Sequence, residues 1–95
     1  MRKAIGLRMV RGLEVPPSTT LTVTDDREQT YTFECRAESS EWEPSGVIKL
    51  TFSRCLLTSV SDLEDQHLLR NVYKVTLTYE QKSGQLTFEL EPQEG

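Results

Sequence analysis

The sequence predicts an all-β protein, built as a small antiparallel sandwich or a partly open barrel of five to six strands. Threonine alternates with apolar residues in segments 20–24, 30–33 and 76–79, and segment 86–90 has the same alternation. Because successive side chains of a strand point to opposite faces, each segment has one apolar face and one Thr/Glu face. The segments are short and mostly joined by short loops, which indicates antiparallel connections.

The length and composition predict one soluble β domain over residues 1–95. The chain is 36% hydrophobic and 27% charged, a balance typical of globular proteins. The net charge of −4 argues against direct nucleic-acid binding, which needs clustered positive charge. No apolar run is long enough to span a membrane, and Arg8 and Arg11 interrupt the one segment that resembles a secretory leader. We therefore expect a cytoplasmic protein without membrane contact.

The first three strands are expected over residues 3–11, 19–24 and 29–35. In the first of these, the alternation directs Ile5, Leu7 and Met9 toward the core. The second and third form a hairpin whose inward residues are all odd-numbered, from Leu21 to Cys35. Pairing odd with odd requires a loop with an odd number of residues, so the loop spans either 26–28 or 25–29 if no bulge intervenes.

Residues 36–46 form the longest polar stretch and are interpreted as an acidic loop. A strand over 47–57 comes next, with Ile48, Leu50 and Phe52 facing inward. By the same alternation Cys35 points inward, whereas Cys55 leaves the opposite face of its strand unless a bulge intervenes. Two free thiols are therefore expected rather than a disulfide.

The chain is expected to contain at most one short helical turn, near residues 61–67. Ser61 and Glu64 fit a capping box, but the apolar spacing after them does not support a longer helix. The last hairpin pairs strands over 73–79 and 86–90. A four-residue loop over 81–84 places Tyr79 opposite Leu86 and keeps the apolar faces together. Residues 91–95 are interpreted as a soluble tail.

The sequence contains no recognisable catalytic or cofactor motif, so we expect a non-enzymatic protein without cofactor or metal. His67 is the only histidine, and no nucleophile or orienting acid lies near it at a recognisable spacing. Two cysteines and one distant histidine are too few for a structural zinc site. The acidic runs over 25–28 and 62–65 lack the spacing of a calcium loop and are interpreted as solvated turns.

The strongest indication of function is Trp42, which lies between Glu41 and Glu43 in the acidic stretch. Tryptophan is enriched at binding hot spots, and acidic rims steer basic partners. The alternative is that Trp42 folds over one end of the sheet as a buried lid. A second candidate surface is the acidic face of the predicted sheet. It consists of Glu34, Glu80, Glu89 and Glu91.

These features predict a non-catalytic protein-binding module of the inhibitor, immunity-type or assembly-adaptor class, with a partner that presents a basic surface. The alternative is a β barrel that binds a small ligand or nucleotide, as a monomer or an oligomer, with Tyr31, Tyr73 and Tyr79 as polar contacts. A homodimer through an exposed edge strand is compatible with either function.

Overall fold

Seven antiparallel strands and one short 3₁₀ helix make up the fold, which confirms the predicted all-β class. The computed structural model describes residues 2–13, 15 and 17–93, with the backbone alone at residue 37. The strands are β1 (Arg2–Gly12), β2 (Ser18–Asp25), β3 (Thr30–Cys35), β4 (Ala37–Trp42), β5 (Val47–Val60), β6 (Val72–Glu80) and β7 (Gln85–Gln93). The 3₁₀ helix spans Leu63–Leu68. The structure therefore has one strand more than the predicted maximum of six. The additional strand is β4, which lies in the stretch interpreted as a loop.

The strands form a ring that is closed at one end and open at one side. Going around the ring, the order is β3, β2, β1, β7, β6 and β5, and β5 pairs again with β3, while β4 extends from the outer edge of β5. The link between β1 and β7 is short, since only Arg2, Lys3 and Ala4 pair across it. Beyond Ala4, β1 pairs with β2 alone, and the ring therefore stays open between β1 and the β4–β5 side.

The hairpins have the loops that the alternation predicts. Between β2 and β3, Thr24 pairs with Thr30, and the Asp25 N–H donates to the Gln29 carbonyl at 2.9 Å, which leaves the three-residue loop Asp26–Glu28. Glu28 has φ 63°, the left-handed conformation that a three-residue hairpin loop requires at its last position. Between β6 and β7, Tyr79 lies opposite Leu86 and the loop covers 81–84, as predicted.

The core fills the inside of the ring with residues from six strands. The apolar faces of β2 and β3 are buried, as are Phe52, Cys55 and Leu57 of β5 and Tyr73, Val75 and Leu77 of β6, and Phe88 of β7 packs against Tyr31 across the ring. Threonines of β2 and β3 lie on the outer face, where their hydroxyls pair across the strands, Thr22 with Thr32 at 3.4 Å and Thr24 with Thr30 at 3.2 Å. The threonine alternation is thus explained by strand pairing.

The prediction for β1 is wrong at Ile5, because a bulge interrupts the alternation there. Ala4 pairs with Asp25 and Gly6 pairs with Thr24, so Ile5 is an extra residue on β1. Ala4 is buried in its place, and Ile5 is 59% exposed. Leu7 and Met9 do lie across from Val23 and Leu21, on the inner face, but Met9 is 47% exposed because no strand covers that side of β1.

The prediction for Cys55 is also wrong, again because of a bulge. The β5–β6 register shifts between Phe52 and Cys55, and Arg54 has φ 55° within the shift. This extra residue turns Cys55 to the inner face, where it is 0% exposed. Both cysteines are free thiols, as predicted, but both point into the core.

The start of the 3₁₀ helix and the end of β7 also differ from the prediction. The helical turn is capped by Asp62, whose carboxylate accepts from the Glu64 N–H at 3.0 Å, while the Ser61 hydroxyl accepts from the Thr30 N–H at 2.7 Å. Ser61 therefore ties the turn to β3 and forms no capping box.

The predicted tail begins later than expected, because β7 continues through Pro92 to Gln93 by pairing with Tyr73 and Val72. Residues 94–95 lie outside the described part of the chain.

Candidate binding cleft at the open side of the barrel

The β4–β5 hairpin carries Trp42 to the rim of the open side. Its turn is closed by two backbone bonds, from the Glu43 N–H to the Val47 carbonyl at 2.9 Å and from the Gly46 N–H to the Glu43 carbonyl at 3.0 Å. Gly46 has φ 87°, where a side chain would be strained. The Gln81 N–H donates to the Gly46 carbonyl at 3.1 Å, so this turn is also fastened to the β6–β7 loop. The hairpin tip is therefore held in one position.

An apolar cleft of about 660 Å³ opens where β1 separates from β7. Its lining combines the buried core residues Ala4 and Leu77 with residues that are partly or largely exposed, such as Tyr79 and Ile5. The lining residues come from β1 (Ala4, Ile5, Leu7), β5 (Ile48, Leu50), β6 (Leu77, Tyr79) and β7 (Leu86), with Gly6 and Gly84 at the edges. A neighbouring, more polar cavity of about 470 Å³ includes Met9, Phe52, Glu38 and Ser40, and Leu50 lines both. The two cavities therefore adjoin along the inner face.

Trp42 continues the apolar face beyond this cleft. It is the last residue of β4 and pairs with Ile48, so the two side chains lie on the same face of the sheet. The indole is 71% exposed, and the interpretation of Trp42 as a buried lid does not fit. The interpretation of residues 36–46 as one loop is wrong as well, since residues 37–42 pair fully with β5. Trp42 is therefore an exposed aromatic group on a fixed strand.

Acidic side chains lie on the other face of the same hairpin tip. Glu41 pairs with Lys49 across the strands, and the Glu43 carboxylate lies 3.5 Å from the Lys49 ammonium. Glu80 lies next to them on β6, opposite Val47. The tip thus combines three carboxylates with the ammonium group of Lys49, and Lys82 follows Gln81 in the loop that is fastened to Gly46. Because these groups are solvent-exposed, the ion pair contributes little to stability, and the excess negative charge remains available to a partner.

The other predicted acidic residues do not join this tip. Glu34 lies on β3, three strands from β7 in either direction around the ring, and its carboxylate accepts from the Ser18 hydroxyl at 3.3 Å. Glu89 and Glu91 lie on the outer face of β7, opposite Thr76 and Lys74. The residues of the predicted acidic face therefore lie in three separate places. Of these residues, only Glu80 lies near the hairpin tip that carries Trp42.

Glu38 fastens the start of β4 across the open side of the ring. Its carboxylate forms an ion pair with the Arg11 guanidinium of β1 and accepts from the Thr19 hydroxyl of β2 at 3.3 Å. Sequence reasoning missed this contact, because segment 36–46 is too polar to predict as a strand. The signal that could have found it is the Pro44-Ser45-Gly46 turn, which favours a hairpin between 37–42 and 47–53.

The tyrosines considered as ligand contacts have different surroundings. Tyr79 lines the cleft and is 38% exposed. Tyr31 is buried, and its hydroxyl donates to Asp65 at 3.1 Å and to Gln29 at 3.2 Å. Burial raises the pKa of Tyr31 above 10.0, and the bond to Asp65 raises it further. Tyr73 is also buried, and its ring packs edge-on against Phe33. Only Tyr79 therefore contributes a polar group to the cleft.

His67, the residue considered as a general base, lies exposed on the 3₁₀ helix. The ring Nδ1 of His67 lies 2.8 Å from the Glu64 carbonyl, within the exposed 3₁₀ helix. Within residues 2–13, 15 and 17–93, no three His, Cys, Asp or Glu side chains are grouped to hold a metal ion. In the same part of the chain, no helix has the length and apolar character needed to cross a membrane.

Comparison with known proteins gives no relative from which a function can be inferred. No family model matches the chain, and neither a curated protein nor a solved structure is significantly similar to it.

Proposed function

We propose that this protein is a non-catalytic protein-binding module of the inhibitor, immunity-type or adaptor class, and that it binds a basic partner through the β4–β5 tip and the adjoining cleft. The observation that carries the proposal is the 71% exposure of Trp42 on a strand that is pinned at both ends. A rigid, exposed tryptophan beside apolar side chains has the properties of a hot spot, since little conformational entropy is lost when a partner covers it.

The unpaired edge of β4 indicates how a partner segment would bind. In the described sheet β4 pairs with β5 on one side only. An extended segment added along this edge would place alternate side chains on the two faces of the sheet. One set would lie beside Trp42 on the inner face, and the other beside Glu41 and Ser39 on the outer face. The matching partner segment alternates apolar residues with lysine or arginine.

The electrostatics of the tip favour the basic half of that pattern. Three carboxylates outnumber the two ammonium groups of Lys49 and Lys82 in this region, and the whole chain carries a net charge of −4. Attraction between exposed charges acts mainly on the association rate and is screened over about 8 Å at physiological ionic strength. Binding should therefore weaken when salt is added, while the contribution of Trp42 should persist.

Calorimetric titration with a synthetic peptide of alternating lysine and valine tests this proposal. Wild-type protein should bind it, and Trp42→Ala should weaken the affinity about tenfold or more, which corresponds to about 1.4 kcal/mol. The control Leu63→Ala truncates a side chain that is 79% exposed on the 3₁₀ helix and should leave affinity within about twofold. A peptide of alternating glutamate and valine should not bind. Equal affinities for Trp42→Ala and Leu63→Ala would contradict the proposal.

Charge reversal distinguishes the candidate acidic surfaces from one another. Glu41→Lys/Glu43→Lys alters the tip, and Glu89→Lys/Glu91→Lys makes the same change in charge on β7. We expect the first pair to weaken peptide binding and to reduce its dependence on salt, and the second pair to have a much smaller effect. The reverse order would move the binding surface to β7 and away from Trp42.

A small apolar ligand in the cleft is the second candidate function. The cleft volume of about 660 Å³ lies within the range of about 300–1,000 Å³ that is usual for ligand pockets. Its described lining contains no lysine or arginine, which favours an apolar compound over a nucleotide. Decanoate should then raise the melting temperature, and Ile48→Asn should abolish that shift, whereas ATP should give none. Absence of a shift with decanoate would contradict this candidate.

Self-association through β1 is compatible with the same fold. Residues 6–12 of β1 pair with β2 alone, and an unpaired edge of this kind can join a second copy. Sedimentation equilibrium measures this directly. A monomer at the concentrations used for peptide binding would exclude the homodimer without affecting the proposed binding surface.

A further inference from the structure

Cys35 and Cys55 occupy opposite positions on neighbouring strands. In the β3–β5 ladder Phe33 pairs with Leu57 and Glu34 with Leu56, so the same register places Cys35 opposite Cys55. The bulge at Arg54 turns Cys55 inward, and the alternation of β3 turns Cys35 inward. The two thiols therefore share the inner face of the ring, at 1% and 0% exposure.

The two side chains also contact each other. The Cys55 thiol forms a hydrogen bond with Cys35 that raises the pKa of Cys35, and burial raises it further. Directly opposed residues of an antiparallel pair have Cα atoms about 4.5–5.5 Å apart. A disulfide needs a Cα separation of about 4.4–6.8 Å. The strand pairing thus gives the two cysteines a Cα separation within the range that a disulfide needs.

Of the two cysteines, Cys35 is the one that lines a surface hollow, although the residue is only 1% exposed. The volume of the hollow is about 90 Å³, and it is also lined by Arg11, Ser18, Thr19, Arg36 and Glu38. Cys55 is 0% exposed and does not line this hollow. The first reaction with a small oxidant is therefore expected at Cys35.

We propose that Cys35 and Cys55 are a redox-active dithiol, which hydrogen peroxide converts into an intramolecular disulfide. Cys35 sulfur attacks one peroxide oxygen, the O–O bond breaks, and water leaves as Cys35 becomes a sulfenic acid. Cys55 sulfur then attacks Cys35 sulfur, the S–O bond breaks, and a second water leaves. In total the two thiols lose two protons and two electrons, and one peroxide is reduced to two waters.

The bond would fasten the hairpin that carries Trp42. Residues 37–53 form that hairpin, and Cys35 and Cys55 lie just outside its two ends. Closing this loop restricts the unfolded chain, and the expected rise in the melting temperature is on the order of 10 °C. Because the raised pKa keeps Cys35 protonated at neutral pH, the reaction should be slow there and should accelerate as the pH rises.

Peptide mapping under non-reducing conditions tests the proposal with the wild-type protein. The folded protein is treated with hydrogen peroxide without denaturant, digested, and compared with a sample reduced by dithiothreitol. We expect a peptide that joins Cys35 to Cys55, a chain lighter by two hydrogen atoms, and a higher melting temperature that dithiothreitol reverses.

The second measurement assigns the order of the two steps. In Cys55→Ala the peroxide should leave Cys35 as a sulfenic acid that dimedone traps, whereas in Cys35→Ala dimedone should trap nothing. If either variant fails to fold, the peptide map of the wild-type protein alone decides whether the disulfide forms. Thiols that both survive peroxide, a disulfide between two chains, or Cys35 oxidised to sulfinic acid with Cys55 free would each overturn the proposal. A bridge that leaves the melting temperature unchanged would overturn the fastening of the hairpin.

Discussion

Replacing Glu28 with glycine should stabilise the protein, although it removes a side chain. Glu28 ends the three-residue β2–β3 loop with φ 63°. The left-handed conformation costs a residue other than glycine roughly 1–2 kcal/mol. Glycine also increases the entropy of the unfolded chain, which lowers stability by roughly 0.5–1 kcal/mol. The difference predicts a net gain of about 0.5–1 kcal/mol in the free energy of unfolding.

The surroundings of the loop support this magnitude. The Glu28 N–H donates to the Asp25 carbonyl at 3.0 Å, and glycine keeps this donor. The buried Asp25 carboxylate accepts from the N–H groups of Arg27 at 3.0 Å and Gln29 at 2.9 Å, so the loop conformation is set by Asp25 and not by the Glu28 side chain. A gain of this size corresponds to a rise in the melting temperature of about 2–8 °C.

Thermal unfolding followed by circular dichroism measures the effect, with two matched controls. Glu28→Gln removes the charge but keeps the left-handed backbone of a residue other than glycine. Any change in melting temperature that it causes therefore measures the charge repulsion between Glu28 and the neighbouring Asp25 and Asp26. Arg27→Gly introduces glycine at the neighbouring position, which does not have a positive φ, and should lower the melting temperature. If Glu28→Gly lowers the melting temperature as Arg27→Gly does, residue 28 is not left-handed. The three-residue loop, and the β2–β3 register with it, would then be wrong.

Three further predictions concern the core and the rim. The folded state holds the pKa of Cys35 above its ordinary 9.0, so the stabilisation is complete below pH 9.0 and is lost as the pH rises, because the unfolded chain releases this proton first. Between pH 9 and 10, urea unfolding should show the wild type losing about 1 kcal/mol more than Cys35→Ala loses over the same interval; parallel pH profiles would contradict this. Phe33 is 0% exposed, and Phe33→Ala should lower the free energy of unfolding by about 3–5 kcal/mol, with Phe33→Leu less damaging; a smaller loss for alanine than for leucine would contradict the packing. Ile5 is 59% exposed, and Ile5→Thr should change the free energy of unfolding by less than about 0.5 kcal/mol. A loss as large as that expected for a buried core residue would instead place Ile5 inside the ring.

Local alternation was sufficient to predict the two tight hairpins. Inward residues of the β2–β3 hairpin are odd on both strands, which predicts a loop over either 26–28 or 25–29, and the structure has the shorter one. The β6–β7 hairpin pairs odd with even, and the apolar cross-strand pairs select the loop over 81–84. The same reasoning failed at Ile5 and Cys55. One extra residue in a strand reverses the face on which every later side chain of that strand lies. The run Cys55-Leu56-Leu57 breaks the alternation and indicates either a bulge or burial on both sides, which alternation alone does not distinguish, and around Ile5 the apolar alternation continues without a break.

The candidate site depends on contacts that sequence reasoning could not reach. Trp42 was identified by its residue type, but its strand consists of polar residues and forms because β5 offers a complete pairing edge. The cleft exists because β1 stops pairing with β7 after Ala4. This separation depends on the bulge in β1 and on its pairing with β2, and the partner strand β7 is distant from β1 in sequence. The contact between Cys35 and Cys55 likewise depends on the β3–β5 pairing, which joins strands that are not consecutive.

Amide hydrogen exchange in the presence of the alternating lysine–valine peptide tests the central proposal, that a partner segment joins the β4 edge beside Trp42. Exchange should slow in β4, over Ala37–Trp42, when the peptide is added, and it should not change over Glu89–Glu91 of β7. Slower exchange in β7 with β4 unchanged, or no change in either strand at saturating peptide, would contradict it.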